Sequence, residues 1–162
     1  MDIKEKILNI LNDHARISDE ELGVRAGISG EEAKNIRVAL EEDGIIRKYK
    51  AVINRDKQYN SRVFAFIDCK VTPSKDVGFD KIAQNICKYS EVHSAYLVSG
   101  AYDLRVVVEG KDLQSVAMFV AERLACEEGI TSVMSNFLLR TYKEDRDILF
   151  EPVIDHRLSV SP

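Results

Sequence analysis

The chain has 162 residues, of which 45% are hydrophobic and 31% charged, with a formal net charge of −4. That balance describes a soluble globular protein and excludes a disordered chain; no apolar run approaches the roughly 20 residues that a membrane-spanning helix needs. The acidic total also argues against indiscriminate nucleic-acid binding.

At about 100 to 200 residues per domain, two small domains fit the length well. The first predicted helix carries Ile3, Ile7, Ile10 and Leu11 at helical spacing. A second begins at Asp19, because Ser18 and Glu21 have the spacing of a capping box, and Gly27 ends it. Ser29 and Glu32 repeat that spacing at once, so a third helix restarts and crosses the second steeply until Gly44 stops it. Leu22, Ala26, Ile28, Ala33, Ile36 and Leu40 supply the apolar positions of a shared three-helix core. This is the pattern of a helix-turn-helix with its second helix offered to DNA, although capping and spacing alone equally describe a plain helical hairpin.

Beyond Gly44, residues Ile45 to Asn54 have strand character, and the polar segment from Arg55 to Ser61 breaks it. Arg47, Lys48, Lys50, Arg55, Lys57 and Arg62 stand there against Asp56 alone, a local excess suited to phosphates or to a solvated surface. The domain boundary is placed near Asn60. A strand at Arg62 to Thr72, a helix at Val77 to Tyr89, strands at Val92 to Ser99 and Asp103 to Glu109, a helix at Lys111 to Cys126 and a strand at Ile130 to Tyr142 follow. The order βαββαβ is ferredoxin-like, which makes the fold class α+β. Phe79, Ile82, Ala83, Ile86 and Cys87, and Leu113, Val116, Ala117, Val120 and Leu124, form the helical stripes that cover one sheet face. Phe64 and Phe66 fall on the opposite face, which is therefore expected to meet another subunit, the alternative being a strand end tucked under a loop. Ile148 to Pro152 could add an edge strand, and a loose tail follows from 153 to 162.

Cys69, Cys87 and Cys126 have no CxxC spacing and sit among apolar neighbours, so buried thiols are expected. His14, His93 and His156 are isolated, and neither a metal site nor a cofactor is expected. The start MDIKEK lacks the pattern of a signal peptide, so the cytoplasm is the expected compartment and no membrane partner is foreseen.

The stretches KILNILNDHARIS, ELGVRAGIS, LEEDGIIRKYKAVIN and LVSGAYDLRVVVEG, in this order and spacing over about residues 3 to 145, resemble the Lrp/AsnC family of transcriptional regulators. The resemblance implies a winged helix-turn-helix domain with its linking strand over 1–54, a linker at 55–61 and a ferredoxin-like sensor domain of the RAM type over 62–152. It also implies homodimers built through the sheets, often assembled into octamers, with double-stranded DNA and a small-molecule effector, usually an amino acid, as partners.

Carried over by position, Ser29 through Leu40 becomes the recognition helix, with Ser29, Glu31, Glu32, Lys34, Asn35 and Arg37 facing DNA and Arg47, Lys48 and Lys50 holding phosphates. Ser99, Gly100, Ala101, Tyr102, Asp103 and Ser135 become the effector site. There Gly100 can take a positive φ and bring backbone N–H groups near a ligand carboxylate, and Asp103 can pair with an α-ammonium; as bare residues the two also fit an ordinary hairpin turn. Two departures from the family stand out. Its recognition helix usually carries several arginines or lysines, whereas this one opens with Glu31 and Glu32, and its Thr-x-Thr pair is replaced by Val133 and Ser135. Sirohaem decarboxylases share the scaffold and form one alternative, for which His93 and Arg105 are the nearest candidates to hold a tetrapyrrole's carboxylates. An interaction module that has lost DNA affinity is the other.

Overall fold

A computed structural model describes residues 2–58, 62–72 and 78–150, with Asp56 described by its backbone alone. The predicted boundary near Asn60, the predicted helix start at Val77 and the tail with His156 lie outside these residues. The chain divides into two compact units, Met1–Ile53 and Asn54–Pro162.

In the first unit α1 (Ile3–Asp13), α2 (Asp19–Ala26) and α3 (Gly30–Glu42) enclose Ile7, Leu11, Leu22, Ala26, Ala33 and Leu40. Ser18 and Ser29 cap α2 and α3 by accepting from the N–H groups of Glu21 and Glu32. For α2 the return half of the capping box is not made, because the Glu21 carboxylate is drawn to Arg25 at 2.6 Å. Gly27 closes α2 at φ 82°. Gly23 sets how closely the helices cross: a Cβ there would lie 2.8 Å from the Gly30 nitrogen and the Ser29 carbonyl.

The strand predicted from Ile45 to Asn54 does not form. Ile46 N–H turns back to Leu40 O at 2.9 Å, and the rest is irregular. A β-branched run is a strand only when a neighbouring backbone takes its polar groups. Among the described residues none does, and Ile45, Val52 and Ile53 are exposed.

The second unit follows the βαββαβ order: β1 (Val63–Val71), α4 (Phe79–Ile86), β2 (Val92–Leu97), β3 (Leu104–Gly110), α5 (Leu113–Glu122) and β4 (Ile130–Phe137). The sheet order is β2-β3-β1-β4, antiparallel throughout. Ala65, Ile67, Cys69 and Val71 alternate inward with Leu104, Val106 and Val108 against Ile82, Ile86, Val116 and Val120. Phe64, Phe66, Asp68 and Lys70 take the other face.

Four boundaries shift. α4 ends at Ile86, so Cys87 leaves its stripe and is exposed, and α5 gives way to a 3-10 turn at Leu124–Cys126 that leaves Cys126 exposed as well. Only Cys69 is buried as expected. β4 stops at Phe137, five residues before the predicted end. Of the last segment, the described residues Ile148 to Phe150 add no edge strand to the main sheet, because β5 (Lys143–Glu144) and β6 (Asp147–Ile148) pair with each other instead. Among the described residues no helix is long and apolar enough to cross a membrane.

Candidate DNA-contacting helix and effector hairpin

The cap at Ser29 starts α3 with its polar residues outward. Ser29, Glu31, Glu32, Lys34 and Asn35 are exposed, while Ala33 and Leu40 are buried beneath them. Arg37 departs from this face. Its Nε and Nη2 donate to the Asp19 carboxylate at 2.7 and 2.9 Å, and its Nη1 donates to Glu41 at 2.8 Å. The Arg37 hydrogen bonds hold the Asp19 carboxyl below its usual value, and the same contact holds the guanidinium firmly charged. Tyr49 O–H also donates to Glu41, at 2.7 Å. Arg37 therefore braces α3 against α2 through Asp19.

The basic run is divided by the fold. Exposed Arg47, Lys48 and Lys50 belong to the helical unit. Arg55 and Arg62 belong to the other, where Arg55 lies 4.3 Å over the Phe64 ring and Arg62 reaches Glu109 at 3.2 Å.

Ser99, Gly100, Ala101 and Tyr102 form the turn between β2 and β3 that ends at Asp103. Gly100 sits at φ 145°, and a Cβ placed there would meet nothing within 4 Å, so it is backbone conformation that favours glycine. Asp103 fastens the turn: its Oδ2 accepts from the Val71 N–H at 2.8 Å, and Lys70 Nζ approaches at 3.1 Å. The Val71 hydrogen bond, with Lys70 beside it, holds the Asp103 carboxyl below its usual value. A ligand ammonium at Asp103 would thus share the carboxylate with Lys70. Tyr102 O–H reaches Met134 on β4 at 3.7 Å. Ser135 pairs with Ile67 and points to the opposite face from Met134, which pairs with Asp68. Within one chain, then, the hairpin meets β4 through Met134 and not through Ser135.

Sequence reasoning missed Lys70, Met134 and Tyr49. Lys70 and Met134 meet their partners 32 or more positions away, which no local spacing announces. The Arg37 to Glu41 pair was readable, having the i,i+4 spacing of a helix-face ion pair. Of the residues weighed for a tetrapyrrole, Arg105 is bound to Asp68 at 2.7 and 3.0 Å, and His93 lies edge-on to Phe64. Among the described residues no three His, Cys, Asp or Glu gather as a metal site.

The Lrp/AsnC ligand binding domain family matches residues 64–148, the sheet unit from β1 to β6. The chain is 39% identical over 158 residues to the HTH-type transcriptional regulator YugG of Bacillus subtilis (strain 168), covering 97% of this chain and 95% of that one. It is 31% identical over 143 residues to the leucine-responsive regulatory protein of Rhizobium meliloti (strain 1021), covering 88% and 90%. Among solved structures, a transcriptional regulator of Neisseria meningitidis in complex with L-Met aligns with a TM-score of 0.72 at 26% identity, covering 89% of this chain and 92% of that one. Capped helix pair, four-stranded sheet and these full-length matches agree, and the chain belongs to the Lrp/AsnC family of transcriptional regulators.

Proposed function

We propose that the protein binds operator DNA through α3 as a homodimer and answers an amino acid at the Ser99–Asp103 hairpin. The observation that carries the DNA half is the exposed face of Ser29, Glu31, Glu32, Lys34 and Asn35 on a helix whose other side is locked into the core. Lys34 and Asn35 are the donors suited to base edges or phosphates; a glutamate there can accept only from a cytosine amino group and otherwise repels the backbone. Arg47, Lys48 and Lys50 supply the sequence-independent part of the affinity. A dimer presents two such helices, so the operator is a pseudo-palindrome with half-sites about one helical turn apart.

The effector half is supported by the backbone at Gly100, open to a carboxylate, and by the L-Met held by the Neisseria relative. Asp103 shapes the turn and shares its charge between Lys70 and the ligand's ammonium, with Ser135 contributing where a further subunit brings it near. The amino acid acts by binding one assembly of the paired helices better than another, since a ligand shifts an equilibrium only through differential affinity. The test is a salt-dependent binding assay with the DNA upstream of the protein's own gene, repeated with a panel of amino acids. Specific binding whose affinity changes with one or a few of them is expected. Equal affinity for unrelated DNA would defeat the operator reading, and indifference to the whole panel the effector reading.

A further inference from the structure

Gly44, at φ 70°, turns the chain at the end of α3, and the bond from Ile46 N–H to Leu40 O sends it back, so that Tyr49 comes to lie beside Glu41, eight positions earlier. Among the described residues no backbone hydrogen bond holds residues 47–53. A side chain ties this stretch to the helices instead. Tyr49 O–H donates to Glu41 Oε1 at 2.7 Å, on the same oxygen that Arg37 Nη1 reaches at 2.8 Å. A carboxylate oxygen has room for two donors, so the two bonds do not compete. The Tyr49 ring lines one cleft with Leu11, Ala15, Ile17 and Arg37, which puts its apolar body at the edge of the three-helix core and its hydroxyl on α3.

The bond keeps its donor and its acceptor near neutral pH. The Tyr49 hydroxyl, ahead of Arg37, holds the Glu41 carboxyl below its usual value, and burial, followed by the Glu41 bond, pushes the phenol above its own. Around Tyr49 in sequence stand Arg47, Lys48 and Lys50, all three exposed. A basic segment left loose must be ordered when it meets a phosphate backbone, and that entropy offsets what its charges gain. One already tied beside the helix that enters the groove avoids this cost.

We propose that Tyr49 is a positioning residue for DNA binding: its hydrogen bond to Glu41 holds the segment carrying Arg47, Lys48 and Lys50 against α3, so that these side chains reach the phosphates beside the groove. The proposal rests on the DNA reading above. The experiment measures affinity for the duplex upstream of the protein's own gene over a series of salt concentrations, by fluorescence anisotropy. Four full-length proteins are compared: the native chain, Tyr49→Phe, the variant with Arg47, Lys48 and Lys50 all changed to Gln, and the combination of both. Tyr49→Phe should weaken binding roughly three- to tenfold, the worth of one hydrogen bond, and lower the salt slope toward that of the neutralised variant. Added to the neutralised variant, it should cost nothing further. A merely structural role for the hydroxyl would lower affinity by the same factor in both backgrounds and leave the slope alone. That result, or native affinity in Tyr49→Phe, overturns the proposal by itself. No binding by the native chain, or a slope that ignores the three basic residues, defeats the DNA reading and the proposal with it.

Discussion

In the helical unit Arg37 grips Asp19 at 2.7 and 2.9 Å, and in the sheet unit Arg105 grips Asp68 at 2.7 and 3.0 Å, but the two forks serve different ends. Arg37 and Asp19 are each about a quarter exposed and join two helices whose apolar contact is small. Asp68 is almost wholly buried while Arg105 stays half exposed, so there the arginine satisfies a carboxylate that the sheet has already desolvated, helped by Asn136 at 3.4 Å. A small helical unit depends on close backbone approach and charge to fix one geometry. A sheet with two covering helices has a larger core and uses the same fork to make one polar residue tolerable.

That contrast can be broken first at the core. Ile67→Ala, at a fully buried position of β1, should destabilise the sheet unit by about 2 to 5 kcal/mol, seen as a lowered unfolding midpoint in urea. A cost near zero would mean that the sheet does not depend on this layer. Next is Gly23→Ala, where the new methyl would lie 2.8 Å from the Gly30 nitrogen. Forcing α2 and α3 apart should cost about 1 to 3 kcal/mol and reduce operator affinity in a mobility-shift assay. Operator binding as tight as the native protein's would show that this crossing tolerates a wider angle.

Arg37→Gln should cost about 1 kcal/mol of helical-unit stability, the typical net worth of a hydrogen-bonded contact, without flattening the salt dependence of DNA binding. A smaller salt slope would instead place the guanidinium on a phosphate. Neutralising Arg47, Lys48 and Lys50 together is the matching experiment, and there the slope should fall.

Acid probes the same contact more gently. The Asp19 carboxyl is depressed in the folded chain by its Arg37 hydrogen bonds, so the stability it contributes is present above the ordinary value of 3.8 and is lost as pH falls from there through the folded value. The unfolding midpoint of Asp19→Asn should vary less with pH below that point than the native protein's; parallel curves would discard the assignment. The mildest test is chemical. Burial pushes the Cys69 thiol up to about 12, with the neighbouring Asp68 charge adding to the shift, whereas Cys87 and Cys126 are exposed. Iodoacetamide on the native protein should therefore label Cys87 and Cys126 and spare Cys69, as peptide mass mapping would read.

Much of the architecture was legible because its determinants are local. Ser18, Gly27, Ser29 and Gly44 punctuate three helices whose apolar stripes become the observed core. A run rich in β-branched and aromatic residues from Val63 to Val71 announces a strand, with Ala65, Ile67, Cys69 and Val71 at alternate positions on its inward face. The candidate site was legible only in part. Gly100 could be singled out because a positive φ is written in residue type, yet nothing near Asp103 in sequence reveals that Lys70 and the Val71 N–H already hold it. The charge of Arg37 is visible in the sequence, but its partner Asp19 is 18 positions away and is not.

The segment after Gly44 draws the line most clearly. Ile45, Val52 and Ile53 have the residue types of a strand, but a strand is a relation between two backbones, and none is supplied to them among the described residues. The sequence by itself determined the helix pair and the order of strands and helices, since caps, glycines and periodicity act over a few residues. Tertiary structure alone decided which charges remain available, which thiols are covered and which face of β4 meets the hairpin, because each depends on groups brought together from distant parts of the chain.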